Sequence, residues 1–209
     1  MRLLARLIGR LMASYVRFVA ATCRVQGGQV TQEQVVLAFW HEYNLVVAAA
    51  AYRARRPQHH VSFSTQTFRG EVMTSMLAGL DSGSVPLPAE GERGEAARLS
   101  LELARIGRGG SSPAVSPDGP VGPYRQAKPG ALIVARQSGL PLQPWAVAAR
   151  PSFRLRGRWD RHIVPLPFSR LRVEEGEPIR VGVREPLRPL LARLQGALDE
   201  VTARADAEA

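Results

Sequence analysis

Short apolar runs that alternate with helical patterns constrain the fold of this chain more than any other feature. Residues 35–39 (VVLAF) are typical of a buried strand, and residues 41–54 behind them have helical character. The same alternation predicts further strands at 61–64, 84–87, 113–115, 142–149, 161–164 and 170–175, and further helices over 70–80, 94–107, 130–138 and 187–201. This βαβα order predicts a single-domain α/β fold whose central sheet is mainly parallel and flanked by helices.

Residues 1–25 combine a basic side with an apolar side. On a helical projection the arginines fall within about 80° of one another, and they are Arg2, Arg6, Arg10, Arg17 and Arg24. The segment carries too many charges to cross a bilayer, but a helix of this kind can lie in the interface with its arginines near lipid phosphates. We therefore expect an amphipathic membrane-interface anchor over 1–25 and an α/β domain over 26–209. The alternative is a helix that packs on the core and has an arginine-rich outer face.

The charge balance points to an anionic partner. The chain has 28 Lys and Arg against 18 Asp and Glu, a net charge of +10, and Cys23 alone cannot form a disulfide within the chain. An anionic membrane surface, a phosphorylated or CoA-type ligand and a nucleic acid would all suit such a charge. The sequence has no zinc-binding spacing, no RNP-like aromatic motif and no helix-turn-helix pattern, so nucleic acid is not expected.

Two candidate catalytic residues follow predicted strands. His41 comes just after residues 35–39, and ligands of open α/β sheets gather beyond the carboxyl ends of the strands. Its imidazole can exchange a proton near neutral pH, although a histidine there could also serve only as a helix cap. Asp118 lies in the loop 116–123, where three prolines and two glycines surround it. So rigid a loop favours a positioned carboxylate over a simple surface turn.

Further cations lie close to these positions. Arg93 precedes Gly94 at the start of an expected helix, where backbone N–H groups and a guanidinium together suit an anion. Arg125 and Lys128 follow the Asp118 loop directly. We expect Arg93, Arg125 and Lys128 to contact anionic parts of a substrate.

Taken in order, the motifs resemble the lysophospholipid acyltransferase superfamily, above all its bacterial branch first catalogued as a domain of unknown function. The resemblance covers about residues 35–180, and its most specific part is 116–144. It rests on Phe39-Trp40-His41, the Pro-Asp-Gly-Pro-Val-Gly-Pro loop from Pro117 to Pro123, Pro129-Gly130, Ala135-Arg136 and the Gly139–Pro144 segment, with Trp159–Arg161 and Pro167–Arg170 later in the chain.

The resemblance implies transfer of a fatty acyl chain from acyl-CoA or acyl carrier protein to a hydroxyl of a lysophospholipid or related lipid. It implies no metal and no redox cofactor, and it places the protein peripherally on the cytoplasmic face of the membrane. His41 would be the general base, and Asp118 would stand where relatives have the acid of an acceptor-binding loop. Gly119, Pro120 and Gly122 would hold that loop in position.

One departure from the family pattern concerns the partner of the histidine. Many members have an aspartate five positions after it, whereas this chain has Val46. Glu42, Glu71 or Asp118 could orient the imidazole instead. The missing aspartate also motivates an alternative, a diverged lipid- or acyl-CoA-binding protein of the same fold that does not catalyse transfer.

Overall fold

The structure is a computed structural model that describes residues 1–27, 33–54, 59–87 and 95–208. The strands are β1 (Arg24–Gly27), β2 (Val36–Ala38), β3 (His60–Thr65), β4 (Gly83–Leu87), β5 (Ser112–Val115), β6 (Leu142–Arg154) and β7 (Ile163–Glu175). The helices are α1 (Arg2–Thr22), α2 (Asn44–Arg53), α3 (Phe68–Ala78), α4 (Glu95–Arg108), α5 (Gly130–Ser138) and α6 (Leu187–Ala207), with a 3₁₀ turn at His41–Tyr43.

The described strands form one sheet in the order β1-β7-β6-β2-β5-β3-β4. Neighbouring strands run parallel except in the β6–β7 hairpin, whose strands are antiparallel. Helices cover the sheet and bury apolar side chains such as Trp40, Trp145 and Leu132 against it. The predicted α/β fold with a mainly parallel sheet is confirmed.

Several elements differ from the sequence predictions, among them β6, which continues to Arg154 beyond the expected end at 149. The segments 161–164 and 170–175 fall largely in one strand, β7, which begins at Ile163. Its pairing with β6 resumes at Pro165 after a register shift between Arg150 and Ser152. Helix α6 continues to Ala207, beyond the expected end at 201, because Ala205 is buried. Strand β1 was missed because it is a short and mostly exposed edge strand without an apolar pattern.

Helix α1 has three distinct faces rather than two. Its small residues, including Gly9, pack on α3 so closely that a Cβ at Gly9 would lie 2.5 Å from the carbonyl oxygen of Val72. The opposite face is exposed and apolar, with Leu3 at 81% and Leu11 at 62% exposure. The arginines of α1 occupy a third face, and Arg24 is not among them because it lies in β1. The helix thus packs on the domain and also exposes an apolar surface.

Candidate functional site

Neighbouring strand ends bring His41 and the Asp118 loop together. Strands β2 and β5 are parallel, with Ala38 opposite Val115, so the segments that leave them emerge side by side at the carboxyl edge of the sheet. The backbone N–H of His41 donates a hydrogen bond to Asp118 Oδ1 at 3.0 Å. The site therefore lies where open α/β sheets usually bind ligands.

Asp118 organises the backbone of this site. Its carboxylate is fully buried and also accepts the N–H of Arg125 at 3.3 Å. Burial raises the pKa of Asp118 to about 6, although the backbone N–H donors act in the opposite direction. Within the loop, the carbonyl of Gly119 accepts a hydrogen bond from Lys128 Nζ at 3.2 Å, and Gly122 N–H donates to the Asp118 carbonyl. Both carboxylate oxygens of Asp118 therefore accept hydrogen bonds from backbone N–H groups rather than from the imidazole.

The His41 imidazole is enclosed on its Nδ1 side. Nδ1 is buried and has no hydrogen-bond partner among the described residues. A Cβ at Gly119 would lie only 2.9 Å from Nδ1, so the loop approaches the ring as closely as a glycine permits. The Trp159 ring lies against it, with ring centroids 5.2 Å apart. Burial lowers the pKa of His41 to about 4, with the Asp160 carboxylate acting in the opposite direction, so the ring is neutral at pH 7.

Glu42 follows His41 in the chain but faces a different set of partners. Its carboxylate is fully buried and accepts hydrogen bonds from Tyr124 Oη at 2.9 Å and Arg125 Nε at 2.6 Å. Arg154 completes an ion-pair cluster around it. Glu42 therefore pairs with two arginines beside the site, and its oxygens hydrogen-bond to these arginines and Tyr124 rather than to the imidazole.

The remaining predicted site residues are dispersed. Glu71 lies on α3 and pairs with Arg2 of α1 at 3.2 Å, whereas Arg93 lies outside the described residues. Arg125 and Lys128 do lie beside the Asp118 loop, but both side chains bond to protein groups there. Among the described residues, no group of three or more His, Cys, Asp or Glu side chains could hold a metal ion. The substrate contacts assigned to these residues stay predictions.

Sequence reasoning missed the role of the turn between β6 and β7. Asp160 in this turn is fully buried. Its carboxylate accepts hydrogen bonds from Arg158 Nε at 2.9 Å and Arg158 Nη2 at 2.8 Å, and His162 Nδ1 lies 3.5 Å from it. Burial works against its charge, but the hydrogen bonds from Arg158 and the nearby His162 ring hold the pKa of Asp160 well below its usual range. The turn sets both Trp159 and a buried carboxylate near His41. The Trp159–Arg161 motif was the available signal.

A cavity of about 440 Å³ borders the chain segment that carries His41, although His41 itself does not line it. Phe39 and Asn44, which precede and follow the His41 segment, line its end at the carboxyl edge of the sheet, and His60 at the start of β3 lines the other end. The walls between them are mostly apolar and come from Val47, Ala48, Ala51 and Tyr52 of α2 and Met73, Met76 and Leu77 of α3. Its volume and lining are those of a small-molecule pocket.

His41 should make stability depend on pH. Because the pKa of His41 is about 4 in the fold and 6.5 for an unperturbed histidine, the unfolded chain binds more protons between these pH values. The wild type should therefore lose about 2 kcal/mol relative to His41→Gln as the pH falls from 6.5 to 4, less than the full shift because part of His41 remains exposed to water.

Denaturant unfolding of both proteins at several pH values measures this difference. The Asp118 carboxyl, whose raised pKa stabilises the fold as the pH falls from 6 towards 4, is present in both proteins and cancels in the comparison. A difference that stays constant over this range would show that His41 titrates as in the unfolded chain.

The described sheet, its flanking helices and the N-terminal helix form an acyltransferase-like α/β fold. The crystal structure of the 1-acyl-sn-glycerophosphate (LPA) acyltransferase PlsC from Thermotoga maritima matches it with a TM-score of 0.55, covering 96% of this chain and 79% of that chain at 15% identity. By sequence, an uncharacterized protein of Rickettsia prowazekii is 23% identical over 185 residues, 84% of this chain and 82% of that protein. No family model matches the chain.

Proposed function

We propose that this protein is a membrane-associated O-acyltransferase with His41 as its general base. It moves a fatty acyl chain from acyl-CoA or acyl carrier protein to a hydroxyl of a lysophospholipid or related lipid. The observation that carries the proposal is the neutral, enclosed imidazole of His41, which the Asp118 loop holds at the carboxyl edge of an acyltransferase-like fold. A neutral imidazole is the form that can accept a proton.

The proposed reaction uses the Nε2 side of the ring. Because Nδ1 is enclosed by Gly119, the acceptor hydroxyl approaches Nε2 and gives up its proton there as its oxygen attacks the thioester carbonyl carbon. A carbon–oxygen bond forms, the carbon–sulfur bond breaks, and the thiolate leaves with the proton from the imidazolium. Asp160 favours the transient positive charge on the ring. The step balances without a metal or redox cofactor.

The apolar cavity between α2 and α3 suits the acyl chain. It begins at Phe39 and Asn44, on either side of His41 in the chain, so a chain lying in it would present its thioester near the imidazole. Ser116 at the start of the Asp118 loop donates to Asn44 Oδ1 at 3.3 Å and links the cavity mouth to the loop.

The exposed apolar face of α1 supports peripheral attachment to the cytoplasmic face of a membrane. Leu3, Leu7 and Leu11 are all more than half exposed, and the helix also carries arginines that suit an anionic surface. None of the helices in the described part of the chain is long and apolar enough to cross a bilayer. A face of this kind would bring the active site to lipid substrates.

The direct test is a transfer assay with purified protein, radiolabelled palmitoyl-CoA or palmitoyl acyl carrier protein, and lysophospholipids presented in vesicles. Labelled diacyl lipid that forms only when protein, donor and acceptor are all present supports the proposal. The second candidate is a lipid- or acyl-CoA-binding protein without turnover, which the unpartnered Nδ1 of His41 favours. Saturable binding with no product across a panel of acceptors would replace the first candidate with the second.

Filling the cavity should change the preferred chain length. Ala51 lines the cavity from α2 and is only half-buried, so Ala51→Phe narrows it without crowding the core. We expect kcat/KM for palmitoyl donors to fall by about tenfold, because part of the chain loses its apolar contacts, while hexanoyl donors are affected little. Ala192→Phe on the exposed side of α6 is the control. Equal losses for both donor lengths would place the acyl chain elsewhere.

A further inference from the structure

A second cleft, separate from the apolar cavity, lies between α1 and the carboxyl ends of β3 and β4. Its volume is about 690 Å³. Arg2, Arg6 and Arg10, one helical turn apart on α1, line one side. The other side carries hydroxyl and amide groups of β3, α3 and the segment between them, from Ser64, Thr65, Gln66, Thr74 and Ser75.

The cleft has an unbalanced positive charge. Glu71 is the acidic residue of its lining, and its carboxylate is paired with Arg2 at 3.2 Å. Among the described residues neither Arg6 nor Arg10 has an acidic partner, and both side chains are exposed. Three guanidinium groups thus face one carboxylate. The hydroxyl groups opposite make the surface polar, although those of Thr74 and Ser75 already donate to protein acceptors. Guanidinium groups bind phosphate oxygens through paired hydrogen bonds, so this lining suits a phosphate group.

The arginines are held on a fixed support. The close packing of Gly9 on α3 leaves no room for a side chain between the two helices. Ser75 Oγ donates to the carbonyl oxygen of Arg6 at 3.0 Å, which fixes the register of α1 along α3. Because the backbone that carries the arginines is already ordered, little of the binding free energy would be lost in ordering it.

The position of the cleft favours a lipid as the source of the phosphate. It opens at the same edge of the sheet as His41, because β2, β5, β3 and β4 are parallel. The exposed Leu3 and Leu7 lie next to the arginine face on α1. A membrane lipid could therefore place its acyl chains along the apolar face while its phosphate enters the cleft.

We propose that the cleft between α1 and the β3–α3 edge binds the phosphate of a lipid headgroup. The inference rests on the proposed function only for the choice of a lipid as ligand, and binding needs no turnover. A protein that binds phosphatidic acid here but transfers no acyl chain would retain this site and lose the proposed function. The converse result, transfer without binding at the cleft, would do the opposite.

The test measures binding of dihexanoyl phosphatidic acid, kept below its micelle concentration, and of inorganic phosphate by isothermal titration calorimetry. The cleft variant is Arg6→Gln/Arg10→Gln. The control is Arg188→Gln/Arg193→Gln on the exposed side of α6, which removes the same charge. We expect the cleft variant to bind the lipid at least about tenfold more weakly than wild type. The control should stay within about twofold, because it changes only the screened long-range field.

Each outcome has a defined meaning. Lipid binding that exceeds phosphate binding, and that falls in the cleft variant alone, supports a lipid headgroup. Equal affinities that both fall in the cleft variant support a phosphate site filled from solution and overturn the lipid assignment. Equal losses in the cleft variant and the control, or no loss in either, overturn the site. Circular dichroism of both variants checks that these surface changes leave the fold intact.

Discussion

The variant His41→Ala is expected to transfer acyl chains about 10²–10⁴-fold more slowly than the wild type, the range that general-base catalysis usually contributes. The ring is neutral at pH 7 because burial lowers its pKa to about 4, so nearly every wild-type molecule carries the base in its working form. The loss should appear in kcat, because the imidazole acts on the proton that moves in the transition state. The transfer assay with labelled palmitoyl donors measures it.

A matched control separates this chemistry from a general effect of losing an imidazole. His59 is exposed and precedes β3, away from the carboxyl edge of the sheet, so His59→Ala should transfer at the wild-type rate. Near-identical far-ultraviolet circular dichroism of the two variants establishes that both are folded. If His41→Ala retains the wild-type kcat, His41 is not the base, and the proposed mechanism is overturned.

The sequence placed both His41 and Asp118 directly after predicted strands, and Asp118 was one of three carboxylates that could orient the imidazole. Parallel strands that are neighbours in a sheet end at the same edge, and Ala38 does lie opposite Val115. The sequence could not predict what each carboxylate bonds, because that depends on side chains from distant segments. Glu42 meets Arg154, 112 residues away along the chain. The position of Glu42 next to His41 in the sequence suggested that it could orient the imidazole, but in the structure Glu42 pairs with Arg125 and Arg154.

The N-terminal helix also depends on contacts with distant segments that its own sequence pattern does not reveal. The spacing of its arginines and leucines predicted an amphipathic helix, which was expected to lie at a membrane interface, with a core-packing helix as the alternative. The structure combines them, because the small residues such as Gly9 pack on α3 while Leu3 and Leu11 remain exposed. The cleft between α1 and the β3–α3 edge arises only from that packing, since the wall opposite the arginines comes mainly from residues 64–75.

Replacing Glu42 with glutamine is expected to have the largest effect on stability. The change keeps the shape of the side chain but leaves Arg125 and Arg154 beside a buried neutral group. Removing one partner of a buried ion pair typically costs 3–5 kcal/mol. Because the two guanidinium groups keep 26% and 35% exposure and can regain water, we expect about 3 kcal/mol, the low end of that range. Urea unfolding at pH 7 measures the loss.

The control for Glu42→Gln is Glu200→Gln on α6. Glu200 pairs with Arg204 at 2.9 Å, but its side chain is 69% exposed, and such surface pairs contribute about 0.5 kcal/mol or less. The two variants remove the same charge, so the difference between them isolates the effect of burial. Equal stabilities would mean that the cluster around Glu42 offsets its own desolvation and adds nothing to the fold. A loss confined to Glu42→Gln would instead show that the buried cluster around Glu42 stabilises the fold.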